Sequence, residues 1–151
     1  MTPRPPDDRG RRAWRKQGAS TRPSPIRVLV VDDHVLLRDS IRIMLGEAPD
    51  IEWVGEASDG AGAIDQVVRT RPDVVLMDLA MPGVNGLTAT EYITRDHPDV
   101  RVLVLTSFTD GMHRRAAQDA GASGFLSKDG DPATILAGVR SVFAGRTPFG
   151  S

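Results

Sequence analysis

Five polar side chains whose types could do chemistry together occur at the ends of short apolar runs. Asp32 and Asp33 follow one such run, Asp78 follows another, Thr106 ends a third and Lys128 follows a fourth. A carboxylate is costly to bury in an apolar fold, so carboxylates at these positions indicate a function. Together the residues offer three carboxylates, a hydroxyl and an ammonium group.

The chemistry that such a set could do is the binding and transfer of a phosphoryl group. Three carboxylates in one crevice repel one another unless a cation lies among them, and all-oxygen ligands favour a hard cation such as Mg²⁺. A carboxylate nucleophile, a divalent ion, a hydroxyl and an ammonium then form a receptor for a phosphoryl group, because phosphoryl transfer depends mainly on positioning and charge neutralisation.

The elements that must position these residues are strands alternating with helices. Short runs rich in β-branched residues predict buried strands at residues 26–31, 51–57, 73–77, 100–105 and 124–127. Between these runs, and after the last, apolar residues recur every three or four positions, which predicts five helices. In the first helix this apolar stripe includes Leu36, Leu37, Ile41 and Leu45.

This alternation predicts an α/β fold, a doubly wound five-stranded parallel sheet with helices on both faces. Right-handed crossovers leave few topologies. If the strand order is 2-1-3-4-5, as in flavodoxin-like folds, strands one and three are neighbours at the switch point, where functional groups gather beyond the carboxyl ends of the strands. Asp32, Asp33 and Asp78 then converge in one crevice.

Charge divides the 151 residues into two unlike parts. The net charge of −1 combines about +5 on residues 1–24 with about −6 on the remainder. Residues 1–25 are rich in Pro and Arg and cannot bury enough apolar surface to offset their ordering entropy, so we predict a disordered basic tail. Its charge could let it touch nucleic acid or an acidic surface, although a solvated tail is the simpler explanation.

Several classes of protein are excluded by composition and motifs. With no cysteine, a disulfide framework, a thiolate zinc site and a cysteine nucleophile are excluded. No apolar run is long enough to span a membrane, and the basic N-terminus lacks the apolar stretch of a signal peptide, so we expect a soluble, cytoplasmic protein without a membrane partner. The sequence also lacks the glycine motifs of dinucleotide and P-loop sites.

Taken singly, each candidate site residue has a plainer explanation. Asp32 or Asp33 could cap a helix, Asp78 could begin a turn, Thr106 could be an ordinary strand residue, and Lys128 could be a solvated surface lysine. The intervals of 45, 28 and 22 residues from Asp33 through Asp78 and Thr106 to Lys128 favour a functional set, because one helix-and-strand unit separates each later pair.

His34 is a tempting metal ligand or base because it follows the two aspartates directly. No second His or Cys lies near it in the sequence. We therefore predict that His34 lies in the loop that opens the first helix.

Four motifs carry a resemblance to a known family. They are Val-Leu-Val-Val-Asp-Asp-His at residues 28–34, Leu-Met-Asp-Leu-Ala-Met-Pro-Gly-Val-Asn-Gly at 76–86, Leu-Thr-Ser at 105–107 and Gly-Phe-Leu-Ser-Lys-Asp at 124–129. Residues 26–146 resemble the receiver domain of two-component response regulators, and the Asp-Asp-His and Lys-Asp motifs resemble its NarL/FixJ (LuxR-type) subgroup. The resemblance implies the 2-1-3-4-5 receiver fold, with residues 147–151 beginning a linker and the output domain absent from this chain.

The resemblance implies roles for the acidic residues. Asp78 would accept the phosphoryl group as an aspartyl phosphate. Asp33 would bind Mg²⁺ directly, with Asp78 and the backbone carbonyl of Ala80 as further ligands, and Asp32 would help through water.

The resemblance also implies a switch. Thr106 and Lys128 would contact the phosphoryl oxygens, and Phe125 matches the aromatic position whose rotation accompanies movement of the threonine. Phosphorylation would then shift a two-state equilibrium at the face made by the last helices and strands.

Two positions depart from the polar residues that family members often carry. Ala80 lies two residues after the phosphoacceptor and Phe108 two residues after Thr106. These positions influence the water that hydrolyses the phosphoryl bond, so we predict a long-lived phosphorylated state. A milder departure is Asp129, which replaces the proline that follows the lysine in many receivers.

The implied function is phosphorylation-dependent signalling. A sensor histidine kinase would be the phosphodonor, the chain would catalyse only its own phosphorylation and dephosphorylation, and a homodimer could form on phosphorylation. Control of transcription through DNA would require a helix-turn-helix domain absent here. The alternative is a phosphate-independent docking module. A phosphohydrolase is disfavoured, because it would need an acidic residue at the position of Ala80 to protonate the leaving group.

Overall fold

The computed structural model describes residues 24–81, 83 and 85–149. The predicted disordered tail of residues 1–25 lies outside the described residues apart from its last two, so it stays a prediction. Among the described residues, no helix is long and apolar enough to cross a membrane.

Five strands alternate with five helices along the described chain. The strands are β1 (Ile26–Val31), β2 (Ile51–Ala57), β3 (Val74–Met77), β4 (Arg101–Thr106) and β5 (Gly124–Ser127). The helices are α1 (Val35–Gly46), α2 (Gly60–Thr70), α3 (Gly86–Asp96), α4 (Gly111–Asp119) and α5 (Pro132–Phe143). The third and fourth strands each begin one residue later than predicted, and the fourth ends at Thr106, as predicted.

All strands are parallel, in the order β2-β1-β3-β4-β5, which confirms the predicted fold. In the register of β1 and β3, Val31 pairs with Met77. The residues that directly follow these two strands, Asp32 and Asp78, are therefore brought side by side at the carboxyl-end edge of the sheet.

The core consists of two apolar layers, one on each face of the sheet. Alternate residues of β1 enter opposite layers: Leu29 and Val31 pack with α2, α3 and α4, and Val28 and Val30 pack with α1 and α5. Because both faces are covered, the central strands have no polar face of their own. Polar chemistry is thus confined to the strand ends.

The apolar stripe of α1 is narrower than the sequence suggested. Ile41 and Leu45 are buried, whereas Leu36 is 82% exposed. At 3.6 residues per turn, the nine positions from Leu36 to Leu45 turn the helix by about two and a half turns, so the two side chains point to opposite sides.

Helix starts also shape the edge that carries the site. The first residue of α2, α3, α4 and α5 is preceded by an Asp or Asn whose side chain accepts a backbone N–H of the next turn. At α1 the capping residue is His34, and its side chain makes no such bond. The imidazole is left available for other contacts.

Two glycines in the same helical position offer a test of packing beneath the site. Gly86 and Gly111 each open a helix. A Cβ added at Gly86 would overlap the carbonyl oxygen of Asp78 and lie 2.8 Å from Cα of Leu79, whereas one added at Gly111 meets nothing within 4 Å. We expect Gly86→Ala to lower the free energy of unfolding by about 2 kcal/mol or more, as overpacking against backbone does.

The matched variant Gly111→Ala should be neutral or stabilising by up to about 1 kcal/mol, because alanine restricts the unfolded chain. Urea unfolding of both variants measures the difference. Equal stabilities would contradict the close approach of α3 to the Asp78 loop.

Candidate functional site

The structure brings three of the predicted residues into direct contact at the carboxyl-end edge of the sheet. Nζ of Lys128, which follows β5, lies 2.7 Å from Oδ2 of Asp32 and 3.1 Å from Oδ2 of Asp78. The two aspartates are 2% and 3% exposed, and the lysine side chain 11%. One partly buried ammonium therefore bridges two buried carboxylates.

The electrostatics of this triad are unbalanced toward negative charge. Burial alone lowers the pKa of Lys128, but its hydrogen bond to Asp32 and the charges of Asp78 and Asp32 outweigh burial, so the net direction is upward. Burial raises the pKa of Asp78, the charge of Asp32 raises it further, and Lys128 offsets only part of the rise. Additional positive charge would thus reduce the repulsion between the carboxylates of the site.

Three hydrogen bonds fix the chain at the end of β1. The N–H of Asp32 donates to the Ala57 carbonyl at 3.0 Å, and Nη1 of Arg38 donates to the Asp32 carbonyl at 2.7 Å. Oδ1 of Asp32 accepts the backbone N–H of His34 at 2.9 Å. The Arg38 side chain is only 13% exposed, so this clamp is largely shielded from water.

Asp33 and His34 complete an acidic group that could hold a metal ion. One ligand atom each from Asp32, Asp33, His34 and Asp78 lie within 4.8 Å of one another. The three carboxylates predicted to bind Mg²⁺ are thus together, and the backbone N–H of Ala80 donates to Oδ1 of Asp78 at 3.2 Å. The donor set and the raised pKa of Asp78 fit a divalent cation.

Thr106 connects the triad to the start of α4. It is fully buried, its carbonyl accepts the backbone N–H of Lys128 at 2.9 Å, and its hydroxyl oxygen accepts the backbone N–H of Phe108 at 3.1 Å. Phe108 is 43% exposed and stacks on His113, with ring centroids 4.9 Å apart. A movement of the threonine hydroxyl would therefore be felt by the loop before α4.

Phe125 lies inside the core and is paired with the C-terminal segment. Its side chain is 1% exposed, and the guanidinium carbon of Arg114 lies 5.6 Å from its ring centroid. Its backbone N–H donates to the Pro148 carbonyl at 2.9 Å, and it forms an isolated parallel bridge with Phe149. Residues 147–149, predicted to begin a linker, thus run along the outer edge of β5.

Sequence reasoning missed three features of this region. His34 lies in the loop that opens α1, as predicted, but the position of its ring beside the carboxylates was not predicted. Arg38 received no role, although its position one helical turn after His34 is a signal that could have been used. The pairing of Phe149 with Phe125 could not be read from the sequence, because an isolated bridge has no apolar periodicity of its own.

A parallel sheet in this order, with buried aspartates after β1 and β3 bridged by a lysine after β5, defines a receiver fold. The sequence profile described as response regulator receiver domain matches residues 28–140. The chain belongs to the response regulator receiver domain family, and it contains a receiver domain of two-component signalling.

Named relatives place the chain more closely. Response regulator UvrY of Escherichia coli (strain K12) is 43% identical over 121 residues, which cover 80% of this chain and 56% of that protein. Transcriptional regulatory protein LiaR of Bacillus subtilis (strain 168) is 42% identical over 120 residues, covering 80% of this chain and 57% of LiaR. The chain thus spans a little over half the length of these curated relatives.

Solved structures agree with this placement. A two-component response regulator of the LuxR family from Aurantimonas sp. SI85-9A1 is 34% identical with a TM-score of 0.80, covering 83% of this chain and 90% of that one. The signal receiver domain of NarL from Mycobacterium tuberculosis is 34% identical with a TM-score of 0.79, covering 82% and 100%. The resemblance to the NarL/FixJ (LuxR-type) subgroup is confirmed.

The raised pKa of Asp78 predicts how stability depends on pH. The folded chain binds a proton on Asp78 more tightly than the unfolded chain, so stability falls as pH rises from the ordinary pKa of 3.8 through the raised value. Asp78→Asn should therefore raise the free energy of unfolding near neutral pH by about 1 kcal/mol or more, because it removes an incompletely compensated buried charge. The gain should shrink toward about pH 4.

Urea unfolding across this pH range, without divalent ions, measures the effect. Asp50 is a control of opposite sign, because its hydrogen bond to Arg140 lowers its pKa. Asp50→Asn should bring no gain at neutral pH. A destabilised Asp78→Asn would contradict the charge imbalance described for the triad.

Proposed function

We propose that Asp78 accepts a phosphoryl group from the phosphohistidine of a sensor histidine kinase. The observation that carries the proposal is the bridging of Asp78 and Asp32 by Lys128 at 3.1 and 2.7 Å in a buried site. A carboxylate with one cation already beside it, and a surplus of negative charge around it, is arranged to receive a divalent ion and a phosphoryl group together.

The reaction is a displacement at phosphorus. A carboxylate oxygen of Asp78 attacks, the P–O bond forms as the P–N bond to the kinase imidazole breaks, and the imidazole nitrogen keeps the electron pair of that bond. Lys128 lies close enough to Asp78 to balance charge on the phosphoryl oxygens. The Thr106 hydroxyl, which accepts from Phe108, still has its own proton to donate to a phosphoryl oxygen.

Mg²⁺ is the proposed cofactor. Asp33, Asp78 and the Ala80 backbone carbonyl would hold it, with Asp32 assisting through water, and it would neutralise charge on the carboxylates and the phosphoryl oxygens. The clamp of Arg38 on the Asp32 carbonyl keeps these carboxylates at the edge of the sheet.

Signalling would follow from the contacts of Thr106. Its hydroxyl holds the loop before α4 through Phe108, and its carbonyl holds Lys128. If the hydroxyl turns to a phosphoryl group on Asp78, the loop loses this acceptor, and Phe125, which the resemblance to receivers assigns to the switch, would repack as the threonine moves. Phosphorylation would thus shift the equilibrium between two arrangements of α4 and β5.

In the whole protein, we propose that this switch controls transcription. LiaR is named as a transcriptional regulatory protein and the Aurantimonas protein as a LuxR-family regulator, and the chain covers only part of such relatives. DNA would be bound by a helix-turn-helix output domain, a homodimer could form on phosphorylation, and the protein would act in the cytoplasm. The chain itself would catalyse only its own phosphorylation and dephosphorylation.

Intact mass spectrometry tests the proposed acceptor. With Mg²⁺ and acetyl phosphate, the wild-type chain should gain the mass of one phosphoryl group, and Asp78→Asn should not. Asp73, another buried aspartate, directly precedes β3, at the end of the strand opposite Asp78. It is the matched control, so Asp73→Asn should still be phosphorylated. No gain in the wild type, or a gain that survives Asp78→Asn, would refute the proposal.

The lifetime of the phosphorylated state is a second prediction. Ala80 and Phe108 are both exposed beside the site and offer no polar side chain to hold a hydrolytic water, so decay should take minutes or longer. Ala80→Asn should accelerate decay several-fold, because an amide there can bind that water. Ala144→Asn, at the far end of α5, is the control and should leave decay unchanged.

Decay is followed by mass spectrometry after acetyl phosphate is removed. Loss of the phosphoryl group within seconds in the wild type would contradict this prediction, and so would an unchanged rate in Ala80→Asn.

A further inference from the structure

Phe108 fixes the loop between β4 and α4 at two points. Its backbone N–H donates to the hydroxyl oxygen of Thr106 at 3.1 Å. Its ring stacks on the imidazole of His113, with ring centroids 4.9 Å apart and an angle of 18° between the ring planes. Phe108 therefore joins the hydroxyl of the proposed switch to the first turn of α4.

The imidazole of His113 is held in place by Asp110, the residue that caps α4. One carboxylate oxygen of Asp110 accepts the backbone N–H of His113 at 2.9 Å, and the other lies 2.7 Å from Nδ1 of the ring. These hydrogen bonds, the backbone one first, lower the pKa of Asp110, so the carboxylate is ionised at neutral pH. An ionised carboxylate only accepts hydrogen bonds, so Nδ1 is the donor and the orientation of the ring is set.

A helix start of this kind does not require a ring. Asp59 and Asn85 cap α2 and α3 in the same way. The residues that donate the backbone N–H to them, three positions later, are Gly62 and Thr88. The imidazole at the equivalent position of α4 thus adds a contact beyond the cap, and that contact is with Phe108.

We infer that His113 is a positioning residue that restrains the switch, because it holds Phe108 where the Phe108 N–H binds the Thr106 hydroxyl. The inference rests on the proposed function and deepens it, by naming the side chain that sets how readily a phosphoryl group captures Thr106.

The restraint follows from the two contacts of Phe108. When the Thr106 hydroxyl turns to a phosphoryl group on Asp78, the Phe108 N–H loses its acceptor, and the loop must move for this N–H to find another. That movement separates the Phe108 ring from His113, so the stack opposes switching. Since the restraint and the phosphoryl group act on the same equilibrium, a weaker restraint raises the apparent affinity for the phosphoryl group.

Two variants separate the ring of His113 from its hydrogen bond. His113→Gln can still donate to Asp110 but has no ring to stack, whereas His113→Phe keeps a ring and loses the donor. The side chain of His113 is 37% exposed, so both variants should fold. Tyr92→Ala is the control, because Tyr92 is an exposed aromatic residue on α3 whose ring contacts Arg95.

Titration with Mg²⁺ and beryllofluoride, a mimic of the phosphoryl group, is followed by NMR. The apparent association constant should rise by about two- to ten-fold in His113→Gln, the range that an aromatic pair supplies. His113→Phe and Tyr92→Ala should bind the mimic as the wild type does. An equal or lower constant in His113→Gln, as a merely structural role would give, or an equal rise in His113→Phe, would overturn the inference.

Amide hydrogen exchange at Phe108 tests the restraint without the mimic. Exchange should be faster by a similar factor in His113→Gln, because the bond to Thr106 opens more often, and His113→Phe should restore the wild-type rate. An unchanged rate in His113→Gln would also overturn the inference. Failure of the wild type to bind beryllofluoride, or binding that survives Asp78→Asn, would count against the proposed function alone, since the exchange rates still decide the role of His113.

Discussion

The structure depends on keeping buried carboxylates together at one edge of the sheet. Asp32 and Asp78 repel each other in a place where water cannot screen them, and Lys128 is the group that makes their proximity tolerable. Its compensation is incomplete, since the pKa of Asp78 stays raised. The excess negative charge lowers the stability of the fold. The same excess favours the binding of a ligand that brings positive charge to the site.

Strand order determines whether this compensation is possible. β1 and β3 are neighbours, so their aspartates meet directly, but β5 lies two strands from β3. A lysine can span that distance because its charge sits at the end of a long flexible stem. Thr106 lies on the strand between them and accepts the backbone N–H of Lys128. Thr106 is thus tied to Lys128 through its carbonyl and to the loop before α4 through its hydroxyl, which joins binding to conformational change.

The residues that form the charge bridge were predictable from the sequence because both their type and their position carry information. Asp32, Asp78 and Lys128 are polar residues that directly follow apolar runs, and a parallel sheet brings the carboxyl ends of its strands to one edge. The exposure of Leu36 and the orientation of the His34 ring were not predictable in this way. They depend on where a helix begins and on which rotamer its cap adopts, and apolar periodicity describes neither. The metal-binding and phosphorylation roles remain predictions supported by this geometry.

The pairing of residues 148–149 with β5 has a consequence for self-association. An edge strand offers unpaired backbone groups to other chains. Here the amide of Phe125 is already occupied by the Pro148 carbonyl, and proline itself has no N–H with which to continue a ladder. Pro148 thus occupies the edge of β5 at Phe125 and offers no N–H of its own to another strand. This limits edge-to-edge aggregation at this position.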